Sequence, residues 1–343
     1  MGEEFIRKMA YVAVITDVFD IEGADRIVQY EIDNGWKVID QKGKYQVNDV
    51  VVYCAIDSWV PSSVAPFLTK PDRFPRLYEN IEGEKLRTIR LKGALSQGLI
   101  LNLSILSEYT EAIVVGGDVS QFFNITKWEA PEEAIHADTK GGFPQFLYKS
   151  DQERIQNCYL SMSKEFETQT WTISEKVEGQ SFTAYLKDDE FGVCSRNLNL
   201  KDSDNTFWNT ARKYDLENKL RNLGRNLSIV GEQYGSNISG NIYGMREISL
   251  LVYDIFDIDA QVYLNPVERL TMIADLGLVS VPIFDTNASL QGKSLSDILA
   301  MADGKSVLGF TNTLREGLVF SANSDKRVSF KAISDKYLLL QKD

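Results

Sequence analysis

Histidine is nearly missing from this chain: 343 residues hold one, His136. That excludes a His-Glu-x-x-His metal site and any multi-histidine cluster, and a catalytic triad would have to use this single residue. His136 sits in Ala130-Pro-Glu-Glu-Ala-Ile-His-Ala137, which reads as linker, so a solvated loop histidine is expected. Acid–base chemistry then falls to Lys, Asp, Glu, Tyr or metal-bound water. Cysteine is scarce too. Cys54, Cys158 and Cys194 lie far apart with no Cys-x-x-Cys, so neither a disulfide framework nor a zinc site is indicated, and a reducing cytoplasmic setting is expected. No run of about 18 apolar residues exists, so no membrane-spanning segment is expected. The first residues, Met1-Gly-Glu-Glu-Phe-Ile-Arg-Lys8, are charged and carry no apolar signal core, which reads against secretion.

What is present points to two packed domains. The apolar fraction of 43% suffices for ordinary cores. The net charge of −12 argues against broad non-specific affinity for nucleic acid, since phosphate contacts need Lys and Arg. Local basic clusters remain, at Lys85-Leu-Arg-Thr-Ile-Arg-Leu-Lys92 and at Lys326-Arg327 with Lys331. Modest affinity and strong salt sensitivity follow.

From about 9 to 127 the chain reads as short strands and turns. Met9–Ile15 is rich in β-formers, Ile27–Ile32 alternates, and Asn34-Gly35 signals a type I′ hairpin into Trp36–Ile39. Further strands are expected at Val50–Ala55, Arg87–Leu91 and Gly98–Leu103. Five or six strands with little helix suggest a small barrel such as an OB-fold, with an SH3-like barrel giving a similar pattern. Residues 129–149 carry prolines, glycines and mixed charge and read as a linker. Residues 150–343 mix strands and helices. One helix is predicted from Asn205 to Leu223, closed by Gly224, and another from Pro266 to Leu276, with Gly277 past its end. Strands are expected at Ser228–Gln233, Ser249–Tyr253, Glu316–Phe320 and Arg327–Lys331.

The chemistry concentrates in Glu175-Lys176-Val177-Glu178-Gly179-Gln180, a Lys-x-Glu-Gly sequence between two strand-like stretches. Alone it is a weak signal. Its weight comes from the ordered series that follows: Ser195-Arg196-Asn197, Gly231-Glu232, Val252-Tyr-Asp-Ile-Phe256, Arg315-Glu316-Gly317 and Ser329-Phe330-Lys331. Each suits covalent nucleotidyl transfer. A lysine amine attacks an α-phosphorus and expels pyrophosphate. Free lysine has a pKa near 10.4, so a nearby metal or cation is needed to favour the neutral amine. Magnesium prefers oxygen ligands and retains waters, for which Glu178, Glu232 and Glu316 are the candidates. Lys331 is the candidate to balance the α-phosphate, and Arg196 to hold a phosphate or ribose group. Tyr253 and Phe256 are both candidates to stack on the base. Gly292-Lys293-Ser294 and Gly304-Lys305-Ser306 resemble the end of a P-loop, but each lacks the glycine five residues earlier.

Taken together the chain resembles the ATP-dependent RNA ligases of the Deinococcus and Naegleria type. In the first domain the likeness rests on Gly23-Ala-Asp-Arg26, Gly35-Trp36-Lys-Val38, Gly43-Lys-Tyr45, Asp49-Val-Val-Val-Tyr53, Ile56-Asp57-Ser58, Leu86-Arg-Thr-Ile-Arg90 and Leu95-Ser-Gln-Gly-Leu99. Before the second it rests on Asp151-Gln-Glu-Arg154-Ile-Gln-Asn157. The resemblance implies an α+β protein: an all-β OB-like barrel over 1–128, a linker over 129–149, and an adenylyltransferase domain built on antiparallel sheets over 150–343. It implies ATP as substrate and Mg²⁺ or Mn²⁺ as metal. Lys176 is the expected site of adenylylation, with Lys331 and Arg196 also placed in catalysis. Glu175 is expected to read the adenine amino group and Arg154 to contact the ATP phosphates. Glu178, Glu232 and Glu316 are expected to bind the metal's waters. Gly179, Tyr253, Phe256 and Lys331 complete the nucleotide site.

The implied reaction seals a 5′-phosphate to an RNA 3′-hydroxyl at duplex nicks, by a monomer with RNA as partner and no membrane. One departure stands out: the last motif has Ser329 where many RNA ligases carry the first lysine of Lys-x-Lys, leaving Lys331, with Lys326 or Arg327 as possible compensation. Two other readings stay open, an RNA-binding OB protein with an inactive transferase domain and a DNA ligase or capping enzyme on the same core.

Overall fold

The structure, a computed structural model, describes residues 7–130 and 138–341; His136 lies outside them. The chain divides into two compact units, Met1–Ala130 with Leu338–Asp343, and Pro131–Tyr337.

The first unit is antiparallel β throughout. A five-stranded sheet runs in the order Leu99–Asn102, Val50–Cys54, Ala10–Asp20, Ile27–Ile32, Lys37–Gln41. A four-stranded sheet is built around Ser58–Pro61 and Ile81–Lys85, and a hairpin joins Thr88–Leu91 to Ala94–Gln97. The alternation in Ile27–Ile32 places Val28, Tyr30 and Ile32 inward, against Trp36, Tyr53 and Ile15. Each such large apolar side chain contributes about 1.5–3 kcal/mol when fully buried. The turn at Asn34-Gly35 is not type I′. That turn needs positive φ at both central residues, and only Gly35 has it, at 71°.

The second unit carries two sheets. The larger has seven strands in the order Thr139–Gly142, Leu198–Leu200, Glu190–Cys194, Gln180–Lys187, Leu227–Tyr234, Ser249–Asp257, Val262–Tyr263. The smaller has five, in the order Glu153–Arg154, Ser329–Ile333, Gly317–Ala322, Thr170–Lys176, Ile283–Ser289. Within the stretch read as linker, Thr139–Gly142 is thus an edge strand: its backbone finds partners on Leu198–Leu200. The helix expected over Asn205–Leu223 is two, Thr206–Lys213 and Leu216–Leu223, because Asp215 adopts φ 53° between them. Its predicted ends hold. Asn205 accepts from Trp208 N at the start, and Gly224, at φ 61°, closes the second helix. Pro266–Asp275 opens on an Asn265/Glu268 capping box. Ser294, in one of the rejected P-loop look-alikes, is the N-cap of Leu295–Ala302. Among the described residues no helix is long and apolar enough to cross a membrane.

Candidate active site

Lys176 is the last residue of its strand and pairs with Gly317 across the smaller sheet. One row further in, Ser174 pairs with Val319, Val319 with Lys331, and Lys331 with Arg154. Side chains alternate along each strand, so this row and Lys176 share a face. The next row, Ile173, Phe320 and Phe330, points the other way into a core completed by Trp171 and Phe166. The apolar row fixes the register, and the register delivers the basic row to one surface.

That surface forms one wall of a cavity of about 410 Å³, whose lining includes Glu175, Lys176, Arg196, Glu232, Tyr253 and Lys331. The volume is that of a small-molecule site. Gly179 lies at its edge; a Cβ there would stand 2.2 Å from the Gln233 carbonyl oxygen, so no larger residue fits the approach of the two strands. Gly317 is required for the same reason, 2.1 Å from the Ala332 oxygen.

Lys176 Nζ donates to Glu316 Oε2 at 2.6 Å. Burial works to lower the amine's pKa, but Glu316, then Glu232 and Glu178, outweigh it and hold it above its ordinary value. These carboxylates favour the charged ammonium form of the lysine. Glu316 is set in place by its neighbour: the Arg315 guanidinium donates to the carbonyls of Met301, Ala302 and Asp303, capping the end of Leu295–Ala302. Glu178 accepts from the Tyr337 hydroxyl at 2.9 Å, and its backbone N–H donates to the Tyr243 hydroxyl at 2.8 Å. Burial, then Glu316, raises the Glu178 carboxyl. Burial pushes Glu232 up to about 8, opposed by Lys176. Burial pulls Lys331 down to about 8, helped by the positive charges of Lys176 and Arg154.

The expected residues divide. Lys176, Glu232, Tyr253, Arg196 and Lys331 meet at the cavity. Arg154 stands beside Lys331 without lining the cavity, Glu316 reaches the site through its hydrogen bond to Lys176, and Glu178 through its field on that amine. Arg196 is held by Asp151 in a two-pronged pair, both contacts 3.0 Å. Glu175 lines the cavity, yet it is 1% exposed, and its oxygens accept from the Ser306 hydroxyl and from Val307 N at 3.2 Å. Phe256 does not reach the cavity. It is buried with Leu147, Tyr185, Cys194 and Ile258. Phe256 shares the sheet face of Glu232 but lies further along the strand, opposite Ser228, and a bulge brings Tyr253 to the cavity. Val230 pairs with Asp254 and Gly231 with Val252, so Tyr253 is the extra residue and is turned towards the cavity. Sequence reasoning missed Tyr337, Tyr243, Ser306 and the Arg269–Asp254 pair, and named Arg327 only as compensation for the lysine absent at 329. Nothing local marks them, since their partners lie far along the chain.

Among the described residues no three carboxylates stand close enough to grip a metal directly. The chemistry of the donor set still fits a hydrated divalent cation. Three carboxylates crowd one ammonium, and the fields of Glu316 and Glu178 both press on Glu232.

A two-sheet unit, antiparallel but for the short Glu153–Arg154 strand, with a lysine lining a nucleotide-sized cleft among both cations and carboxylates, has the build of a covalent nucleotidyltransferase. Residues 169–333 match the RNA ligase family, and residues 9–103 match an OB-fold domain. Among solved structures, a Naegleria gruberi RNA ligase mutant with ATP and Mn is 36% identical, with a TM-score of 0.77 over 96% of this chain and 98% of that one. Another mutant of that ligase, with AMP and Mn, is 37% identical, with a TM-score of 0.78 over 97% and 98%. The same ligase with PPi is 37% identical, with a TM-score of 0.76 over 97% and 98%. No curated protein sequence matches this chain. The chain belongs to the RNA ligase family.

Proposed function

We propose that this protein is an ATP-dependent RNA ligase that joins a 5′-phosphate to an RNA 3′-hydroxyl at nicks in duplexes. The observation that carries the reading is Lys176 at the cavity wall, ion-paired to Glu316 and flanked by Lys331, in a chain alike over nearly its full length to a ligase solved with ATP and Mn. The amine of Lys176 attacks the α-phosphorus of ATP. An N–P bond forms as the P–O bond to pyrophosphate breaks, giving lysyl-AMP. The AMP then passes to the 5′-phosphate of the strand, and the 3′-hydroxyl displaces it, forming the phosphodiester.

The chain's own residues supply the setting. Lys331 and Arg196 offer positive charge to the phosphates, and the ring of Tyr253 offers a face to the base. Glu175, fixed by Ser306, borders the same space. Glu178, Glu232 and Glu316 would hold Mg²⁺ or Mn²⁺ through its waters. When bound, that ion neutralises phosphate charge and offsets the carboxylates that keep Lys176 protonated. The three cysteines are buried free thiols, in keeping with the reducing, cytoplasmic setting of this reading.

The test is incubation with α-labelled ATP and Mg²⁺ or Mn²⁺, wild type beside Lys176→Ala, followed by a nicked duplex with ribose or deoxyribose at the 3′-hydroxyl. Label on the wild type alone, and sealing that prefers ribose, is expected. A wild type without label under either metal overturns the proposal.

A further inference from the structure

Beside the cavity lies a group of charges that the chemistry above leaves unused. Asp254, 1% exposed, accepts from Arg269 Nη1 at 3.0 Å and from Arg327 Nη2 at 2.7 Å. The Ser150 hydroxyl donates to the same carboxylate and accepts from Arg327 at 2.8 Å. Arg327 also lies over the Tyr263 ring, 3.9 Å from its centroid. Two guanidiniums on one carboxylate leave a net positive charge. Among the described residues neither guanidinium has a second carboxylate partner. Arg327 keeps about a third of its side chain in water, but Arg269 is buried, and a buried charge that shares its one carboxylate is costly unless a further anion comes to it.

The geometry says where that anion would come from. Arg269 and Ser150 both line the main cavity. Arg269 and Arg327 line a small recess with Ser321 and Ser329, and Ser321 is shared with the cavity. Ser321 pairs directly with Ser329, two residues before Lys331 on the same strand face. The block thus extends the cation row of Lys331 along the cavity wall.

We propose that the Arg269–Asp254–Arg327 block is a preassembled cation for the polyphosphate of ATP, with Arg269 facing the phosphates and Asp254 and Arg327 as positioning residues. This rests on the ATP reading above. A planar guanidinium clamped by a buried carboxylate suits the task, because its orientation is fixed before the phosphate arrives. A lysine at position 329 would bring an ammonium to the same stretch of wall.

Lysine labelling from α-labelled ATP, followed against ATP concentration, tests this in wild type, Arg269→Gln, Arg327→Ala, Ser329→Lys and Arg327→Ala with Ser329→Lys, each with a thermal melt. Arg269→Gln and Arg327→Ala are expected to raise the half-saturating ATP concentration about tenfold, with a smaller effect at saturation. Ser329→Lys is expected to reverse most of that loss in the Arg327→Ala background. Alone, with the block intact, it is expected to lower half-saturation severalfold. An unchanged ATP dependence in stably folded variants overturns the inference. So does a loss that only follows the melting temperature and that Ser329→Lys leaves unrelieved, or a Ser329→Lys single variant with no tighter ATP dependence. A labelled wild type beside unaffected variants overturns this inference alone, whereas an unlabelled wild type overturns the ATP reading as well.

Discussion

Lys176 and Glu316 are 140 residues apart in sequence and 2.6 Å apart in space. The contact holds the nucleophile in its unreactive, protonated form until the carboxylates are occupied otherwise. Removing it with Glu316→Gln lowers the pKa of Lys176. Its reactivity towards an amine-selective acylating reagent at pH 8, read by mass spectrometry, is expected to rise in the metal-free protein. Adenylylation by ATP is expected to fall about a hundredfold, because a carboxylate of the metal site is lost too. Equal acylation in both proteins would contradict the pairing.

Glu232 makes a second prediction through pH. Its folded pKa of about 8 is above the ordinary 4.5, so the folded state binds the extra proton between those values. Its contribution to stability is therefore fully present below pH 4.5 and is lost as pH rises through 8. Glu232→Gln should raise the melting temperature of the metal-free protein at pH 8, by about 2–4 °C per kcal/mol relieved, and should give little gain at pH 5. A gain of the same size at both pH values would count against a buried, protonated carboxyl.

Tyr253 and Phe256 should separate cleanly. Tyr253→Ala opens the cavity wall and is expected to weaken ATP binding about tenfold, at a modest cost in stability, since base–aromatic stacking contributes about 1–3 kcal/mol. Phe256→Ala empties a buried site and is expected to cost about 3–5 kcal/mol in denaturant unfolding. The reverse pattern, with ATP affinity following Phe256, would refute the bulge argument.

Tyr337 acts through Glu178. Tyr337→Phe removes only the hydroxyl that donates to the carboxylate at 2.9 Å. The Mn²⁺ concentration needed for half-maximal adenylylation is expected to rise about five- to tenfold, as for other partners that orient metal ligands. Unfolding should change by about 1 kcal/mol or less. An unchanged metal titration would show that Glu178 needs no such support.

Much of this was legible along the chain, because local physics wrote it there. The caps at Asn205 and Asn265, the stop at Gly224 and the alternation in Ile27–Ile32 are dictated by residues a few positions apart. The motif series from Glu175 to Lys331 named residues that meet at the cavity, among them Lys176 at a strand end and Glu232 and Lys331 within strands. Glycines 179 and 317 are equally local signals, since only a missing Cβ permits the strand contact at each.

Tertiary structure alone decided the rest. Asp215 breaks one predicted helix into two, Thr139–Gly142 turns linker into strand, and a single extra residue opposite Val230 and Gly231 turns Tyr253 inward while Phe256 packs elsewhere. The pairing of Lys176 with Glu316, of Glu175 with Ser306 and of Asp254 with Arg269 and Arg327 joins residues between 15 and 140 positions apart. Such contacts leave no periodic trace in a sequence. They form only when packing of the apolar rows has fixed the sheet register, and that register is a property of the whole unit.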